Sequence, residues 1–128
     1  MILGIDLGQK TTGLAISEGR LATPYKTITH KSQKEALFKI LEICSEESID
    51  KIVLGYVQGK IGKLFENFAK EFRKVKPNVE VVMVDETLTT RQAIETMIKL
   101  QLSKKARQKK EHEIAAVLIL QSYLDERD

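Results

Sequence analysis

Short apolar runs and polar turns alternate in the first thirty residues of the chain. Residues 1–7 and 12–17 are apolar runs separated by the turn sequence "GQKTT", which predicts two strands joined by a hairpin-like turn. Residues 22–28 predict a third strand. Pro24 confines that strand to a sheet edge, because proline lacks the N–H that a central strand donates. The close succession of the three strands predicts an antiparallel meander.

Helical and strand patterns alternate in the remainder of the chain. Ser32 and Glu35 form a capping box at the start of a helix with apolar residues at helical spacing. The strand–helix–strand unit at 51–84 predicts a parallel crossover. We therefore expect an α/β fold: a mixed five-stranded sheet, three strands antiparallel and then two parallel, with helices on both faces. The remaining predicted elements are a strand at 49–56, a helix with the core stripe Leu64, Phe65, Phe68, Phe72 and Val75, a strand at 79–84, a helix from Thr89 to about Leu102, and a buried helix over 111–125.

Length and composition are those of one globular domain. A chain of 128 residues, 42% hydrophobic and 30% charged, is long enough to fold alone, so we expect a single domain over 1–128. No apolar run approaches the roughly 18 residues of a membrane span. Met1 enters the first strand directly, which predicts no signal peptide. The single Cys44 cannot form an internal disulfide, and this fits a reducing cytoplasm. We expect a cytoplasmic protein with no membrane partner.

Positive charge is concentrated in one stretch. The net charge of +3 is too small to indicate a nucleic-acid partner by itself, but five of the seven residues 104–110 are basic. A solvated loop is one interpretation of this run, and a salt-sensitive contact with a phosphate backbone is the other. Because aromatic residues make up only 5% of the chain, base stacking is expected to contribute little. The candidate phosphate-binding residues are Lys10, Lys63, Lys104, Lys105, Arg107, Lys109 and Lys110.

Asp6 lies in an otherwise apolar strand. Burying its carboxylate costs several kcal/mol, roughly, unless a cation meets it. Asp85 and Glu86 directly follow another apolar strand, and the carboxyl ends of parallel strands meet at one edge of a sheet. These carboxylates are therefore predicted to converge as a metal site. The alternatives are that Asp6 accepts N–H bonds from the turn at 8–13, and that Asp85 and Glu86 are ordinary acidic residues before a helix.

Three stretches of the chain together resemble one family. "GIDLGQKTTGLAIS", "VDETLTTRQA" and "AAVLILQSYLDE" resemble, in order and spacing, signatures of the YqgF/RuvX proteins, RNase H-like relatives of the RuvC Holliday-junction resolvases. The resemblance extends from Met1 to about Glu126. It implies an RNase H-like nuclease domain that hydrolyses phosphodiester bonds and matures the precursor of the small-subunit (16S) ribosomal RNA. The implied partners are that precursor or branched DNA, and the alternative function is Holliday-junction resolution. Both a monomer and a homodimer remain open.

The resemblance also assigns the site residues. It implies Asp6 as the first acidic ligand and Glu86, with Asp85 beside it, as the second. Where the family usually has an Asp at the start of its last helix, this chain has His112. A histidine in the first turn of a helix tends to be neutral and able to bind metal, so His112 is a candidate third ligand or substrate contact. The alternatives are a capping or surface role for His112, with Glu113 as the working carboxylate.

The implied cofactor is a divalent metal, Mg²⁺ or Mn²⁺. Two ions roughly 3.5–4 Å apart suit phosphodiester hydrolysis, and an imidazole ligand shifts preference toward Mn²⁺. Two further departures from the family affect substrate contacts: "GYVQGKIG" lacks a usual proline and is shortened, and Thr87 stands where an Arg is usual. The rival functions are a non-catalytic RNA-binding module on the nuclease fold and an ATPase lobe. The ATPases share the first hairpin but need a second lobe, for which 128 residues leave no room.

Overall fold

Five strands form one sheet, with helices on both of its faces. The computed structural model describes residues 1–57, 62–85 and 104–126, without the side chains of 62 and 104–110. The elements are β1 (Ile2–Asp6), β2 (Thr11–Ser17), β3 (Thr23–Thr29), α1 (Gln33–Glu46), β4 (Lys51–Tyr56), α2 (Gly62–Val75), β5 (Glu80–Asp85) and α3 (Lys104–Glu126). The strand order is β3-β2-β1-β4-β5; β1–β2 and β2–β3 are antiparallel, while β1–β4 and β4–β5 are parallel. The predicted mixed sheet is confirmed.

Different helices cover the two faces of the sheet. Leu3 and Ile5 of β1 are fully buried in the larger core cluster, which includes residues of α1 and α2. Ile2 belongs to the second cluster, which is built around α3. Because successive strand residues point to opposite faces, Gly4 and Asp6 share the α3 face with Ile2. β1 is thus buried on both sides, as its apolar sequence predicts.

The start of α1 follows the predicted capping box with one change. The Ser32 hydroxyl accepts a hydrogen bond from the Glu35 N–H at 3.1 Å, as a capping box requires. The Glu35 carboxylate, however, accepts from the N–H of Lys31 at 2.9 Å. Further along α1, Cys44 is buried, and burial raises the pKa of its thiol to about 11, so the thiol is unreactive at neutral pH.

The apolar stripe of α2 is largely confirmed. Phe65, Phe68 and Phe72 are buried in the larger cluster, and the rings of Phe68 and Phe72 stack with centroids 6.4 Å apart. Val75 belongs to the predicted stripe, but it is 58% exposed. Val75 is the last residue of the helix. It follows the helical spacing of the stripe, but the helix has passed the edge of the core at this position.

The last helix is longer than predicted. α3 begins at Lys104, not at 111, so the backbone of the basic run is helical and the loop interpretation is wrong. Lys, Arg, Gln and Ala are all strong helix formers, and like charges three or four residues apart in a helix oppose this preference only weakly. His112 therefore lies about two turns inside the helix. Because the dipole effect is confined to the first turn, the helix dipole does not favour a neutral imidazole at this position.

Two other expectations concern the chain outside these elements. The helix predicted from Thr89 to about Leu102 lies outside the described residues. Within the described parts of the chain, no helix is long and apolar enough to cross a membrane.

Candidate active site

The Asp6 carboxylate lies at the carboxyl end of β1, on the face covered by α3. Asp6 is the last residue of the strand and pairs with Gly13 of β2. Only 13% of its side chain is exposed. An acidic group so enclosed loses much of its hydration and gains from a positively charged neighbour.

His112 of α3 is the side chain that meets Asp6. Its Nδ1 atom lies 3.8 Å from Asp6 Oδ2, and 48% of its side chain is exposed. This distance is longer than the donor–acceptor distance of a hydrogen bond. Bonds from nitrogen or oxygen to a small divalent cation are about 2.1 Å long, so neighbouring octahedral ligands stand about 3 Å apart. The two side chains therefore fit one ion after closing by less than about 1 Å. A protonated imidazole would form an ion pair with Asp6 at the observed distance.

Gly13 allows α3 to pack closely on β2, and this close packing places His112 beside Asp6. A Cβ at Gly13 would overlap the backbone carbonyl of His112 and would lie 2.9 Å from the Glu113 nitrogen. Farther along the helix, a Cβ at Gly4 would lie 2.7 Å from Leu120 Cβ. Gly13 is not among the site residues predicted from the sequence. The sequence feature that could have identified Gly13 is its position inside a strand, because a glycine there often marks a place where another backbone segment packs closely.

Glu113 is directed away from Asp6. Its Oε2 atom accepts a hydrogen bond from the Thr27 hydroxyl of β3 at 2.9 Å. The side chain therefore joins α3 to the edge strand, on the other side of β2 from Asp6. Of the two neighbouring candidates on α3, the structure brings His112 to Asp6 and turns Glu113 toward β3.

Asp85 ends β5 on the opposite face of the sheet. Val82 and Val84 pack against the α3 cluster, whereas Val81 and Met83 pack against the larger cluster beneath α1 and α2. Strand alternation places Asp85 with Val81 and Met83, on the face opposite the Asp6 carboxylate. The structure thus brings Asp85 to the same edge as Asp6 without bringing it to the same face. Glu86 lies outside the described residues.

The basic candidates are dispersed around this edge. Lys10 is exposed on the β1–β2 loop, and Lys63 is exposed in the first turn of α2. α3 runs from His112, beside Asp6, to Leu120, beside Gly4, so it is antiparallel to β1. Residues 104–110 consequently continue the helix past the Asp6 edge, and Lys104 lies about 12 Å along the axis from His112. The side chains of this run lie outside the described ones.

The described residues do not by themselves supply a ligand set of the kind that holds metal ions in proteins. Among residues 1–57, 62–85 and 104–126, no group of three His, Cys, Asp or Glu side chains could hold a metal ion. The pair of Asp6 and His112 by itself therefore does not amount to such a group.

Comparisons with known proteins agree with this architecture. A model of the family described as "RuvX: Holliday junction resolvase" matches residues 1–126. A protein named "Putative pre-16S rRNA nuclease" from Clostridium tetani is 40% identical over 131 residues, covering 97% of this chain and 95% of the relative. A protein of the same name from Clostridium acetobutylicum is 38% identical and covers 97% of each.

Solved structures share the fold at low sequence identity. The crystal structure of the fowlpox virus Holliday junction resolvase matches with a TM-score of 0.65 and 17% identity, covering 98% of each chain. T. thermophilus RuvC in complex with Holliday junction substrate matches with a TM-score of 0.63 and 14% identity, covering 98% of this chain and 94% of RuvC. The sheet and helices thus form the RNase H-like fold of these resolvases. The chain belongs to the RuvX family and is a phosphodiester-hydrolysing enzyme.

Proposed function

We propose that this chain is a metal-dependent nuclease that matures the precursor of 16S ribosomal RNA. The observation that carries the proposal is the pairing of the enclosed Asp6 carboxylate with the exposed His112 imidazole, 3.8 Å apart, at the carboxyl edge of the sheet. The names of the Clostridium relatives, at 40% and 38% identity over nearly the whole chain, support the substrate.

Asp6, His112 and Glu86 are the proposed metal ligands, for Mg²⁺ or Mn²⁺ and for two ions. Asp6 and His112 meet at one place, while Glu86 is proposed from its motif. Asp85 is the weaker candidate of the acidic pair because its strand position directs it to the other face. When bound, the metal would supply an activated water and stabilise the charge added to the phosphate.

The protein groups have separate tasks in this proposal. Asp6, held by β1 and shielded by α3, would present its carboxylate to the metal, whose positive charge would in turn attract the scissile phosphate. His112 is nearly half exposed, so its imidazole can also contact the substrate directly. Lys10, Lys63 and the basic residues of 104–110 are proposed to bind the phosphate backbone, which gives affinity without sequence preference. We also propose a cytoplasmic location, where the buried, unpaired Cys44 stays reduced.

Holliday-junction resolution is the second candidate function. The description of the matching family model favours it, as do the structural matches to resolvases of 17% and 14% identity. Both candidates use the same metal chemistry and differ only in the nucleic acid.

One substrate panel tests the proposal. Purified protein is incubated with labelled ribosomal RNA precursor, single-stranded RNA and a four-way DNA junction, each with Mg²⁺, Mn²⁺ or EDTA. We expect cleavage of the precursor with a divalent metal and none with EDTA. Cleavage of the junction alone would favour the second candidate. Binding of RNA with no cleavage under any condition would identify a non-catalytic binding module.

A further inference from the structure

The loop between β1 and β2 is held from one side through its carbonyl groups. The Gln33 side-chain amide, at the start of α1, donates to the carbonyl oxygens of Gly8 at 3.0 Å and Gln9 at 3.4 Å. The backbone N–H of His30 donates to the carbonyl of Lys10 at 2.9 Å. Three consecutive carbonyls therefore accept hydrogen bonds, two from Gln33 of α1 and one from His30, the residue that follows β3.

This arrangement fixes the direction of the N–H groups in the loop. In a planar trans peptide the carbonyl and the following N–H point in opposite directions, and the described residues contain no cis peptide bond. Since the carbonyls of Gly8 and Gln9 point at Gln33, the N–H groups of Gln9 and Lys10 point away from it. Both residues are exposed, and neither N–H donates a hydrogen bond within the described parts of the chain.

Buried polar groups also contact the loop. The Thr12 hydroxyl is fully buried, 2.8 Å from His30 Nε2 and 3.5 Å from the Gly8 nitrogen. A Cβ at Gly8 would overlap the Thr11 carbonyl, so the turn has no room for a side chain at that position. The loop backbone is thus held in one arrangement by contacts from several elements.

Gln33 makes these contacts although the oxygen of its own side-chain amide is left unpaired within the part of the chain that the structure describes. Its Oε1 atom is buried and has no hydrogen-bond partner among the described residues. An unpaired buried acceptor is destabilising, and an apolar side chain of similar size would not carry one. The contribution specific to glutamine at this position is therefore its pair of donor contacts to the loop carbonyls.

We propose that the N–H groups of Gln9 and Lys10, together with the Lys10 ammonium, form a subsite for one backbone phosphate of the nucleic acid, with Gln33 as its positioning residue. Consecutive N–H groups that point the same way bind anions. The proposal rests on the proposed function and extends it. Gln9 follows Asp6 by three residues, so their Cα atoms are at most about 11 Å apart. The subsite would hold a phosphate near the scissile one.

Amide NMR on the full chain tests the subsite directly, with inorganic phosphate as the probe. We expect the Gln9 and Lys10 amide resonances to shift as phosphate is added and to stay unchanged with sodium chloride of matched ionic strength. In Gln33→Met, an isostere without donors, we expect at least about tenfold weaker phosphate binding. Lys10→Gln should weaken the response, and Lys70→Gln, an exposed lysine on α2, should leave it unchanged.

Two results would overturn the subsite: no shift of these amides in the wild-type protein, or the same response in a folded Gln33→Met variant. The wild-type titration decides even if Gln33→Met fails to fold. A second readout is RNA binding in EDTA, where Gln33→Met and Lys10→Gln should each flatten the salt dependence by about 0.7 in slope. A merely structural role for Gln33 would lower thermal stability and leave that slope unchanged.

The subsite and the nuclease activity can fail separately. Phosphate-dependent shifts without cleavage of any nucleic acid would support the subsite and contradict the proposed function. Cleavage without those shifts would support the proposed function and contradict the subsite.

Discussion

Gly13 of β2 lies directly beneath the backbone carbonyl of His112, and this close approach sets the height of α3 above the sheet. The same approach places the imidazole of His112 beside Asp6, since Gly13 is the β-ladder partner of Asp6. A strand glycine thus controls the distance between two candidate ligands that come from opposite ends of the chain.

Replacing Gly13 with Ala is expected to destabilise the fold by about 3 kcal/mol, the upper end of overpacking costs, because the overlapping group is backbone and cannot rotate away. Chemical denaturation measures the loss. The control is Gly19→Ala, which meets no atom within 4 Å and strains only a positive φ, at a cost of about 1–3 kcal/mol. A Gly13→Ala protein as stable as the wild type would show that close packing at Gly13 is unimportant.

His112 determines the metal preference in this account. His112→Asp should give an all-oxygen ligand set and raise activity with Mg²⁺ relative to Mn²⁺. His112→Ala should weaken metal affinity by about 10–100-fold, the range seen when groups supporting a metal site are removed. Titrating activity with each metal measures both effects. If the His, Asp and Ala proteins share one metal preference and one activity, His112 is not a ligand.

The basic part of α3 is expected to bind phosphates without reading sequence. Substituting Gln for all five basic residues of 104–110 should weaken binding to every nucleic acid about equally. The salt slope should flatten by about 0.7–0.9 for each phosphate that these side chains neutralise in the wild type. Filter binding over a range of salt concentrations gives the slope. Because Gln is also a good helix former, circular dichroism should show unchanged helix content. An unchanged slope would leave this part of α3 as a solvated surface.

His30 should make stability depend on pH. Burial lowers the pKa of its imidazole, because the charged form loses hydration beneath the β1–β2 loop. The unfolded chain then binds more protons than the folded one below about pH 6.5, so the free energy of unfolding falls as pH decreases through that value. Denaturation at several pH values should show this slope, and His30→Gln should reduce it. A variant with the wild-type slope would mean that other groups cause it.

Local patterns predict most of the fold correctly. The edge position of β3 follows from Pro24, and the start of α1 follows from the side chain of Ser32, because each depends on backbone chemistry within a few residues. The predicted start of α3 is seven residues late, because a run of charge suggests a solvated loop although Lys and Arg favour helix.

The site is less predictable than the fold. The sequence indicates that Asp6 and Asp85 reach the same edge, but all four residues of 81–84 are apolar, so the strand pattern does not reveal which face Asp85 occupies. The sequence favours His112 and leaves Glu113, the next residue, as the alternative. Only the packing of α3 on Gly13 and the hydrogen bond from Thr27 to Glu113 separate them.

The Asp6→Asn variant provides the most direct test of the central claim, that Asp6 binds the metal of a nuclease. Removing an enclosed negative charge should leave the metal-free protein as stable as the wild type or more so. Cleavage of labelled ribosomal RNA precursor is measured for both proteins with Mg²⁺, Mn²⁺ and EDTA, alongside thermal unfolding without metal. We predict metal-dependent cleavage by the wild type and only background cleavage by a fully folded Asp6→Asn protein. Wild-type cleavage by Asp6→Asn, or its unfolding because a structural hydrogen bond is missing, would contradict the account.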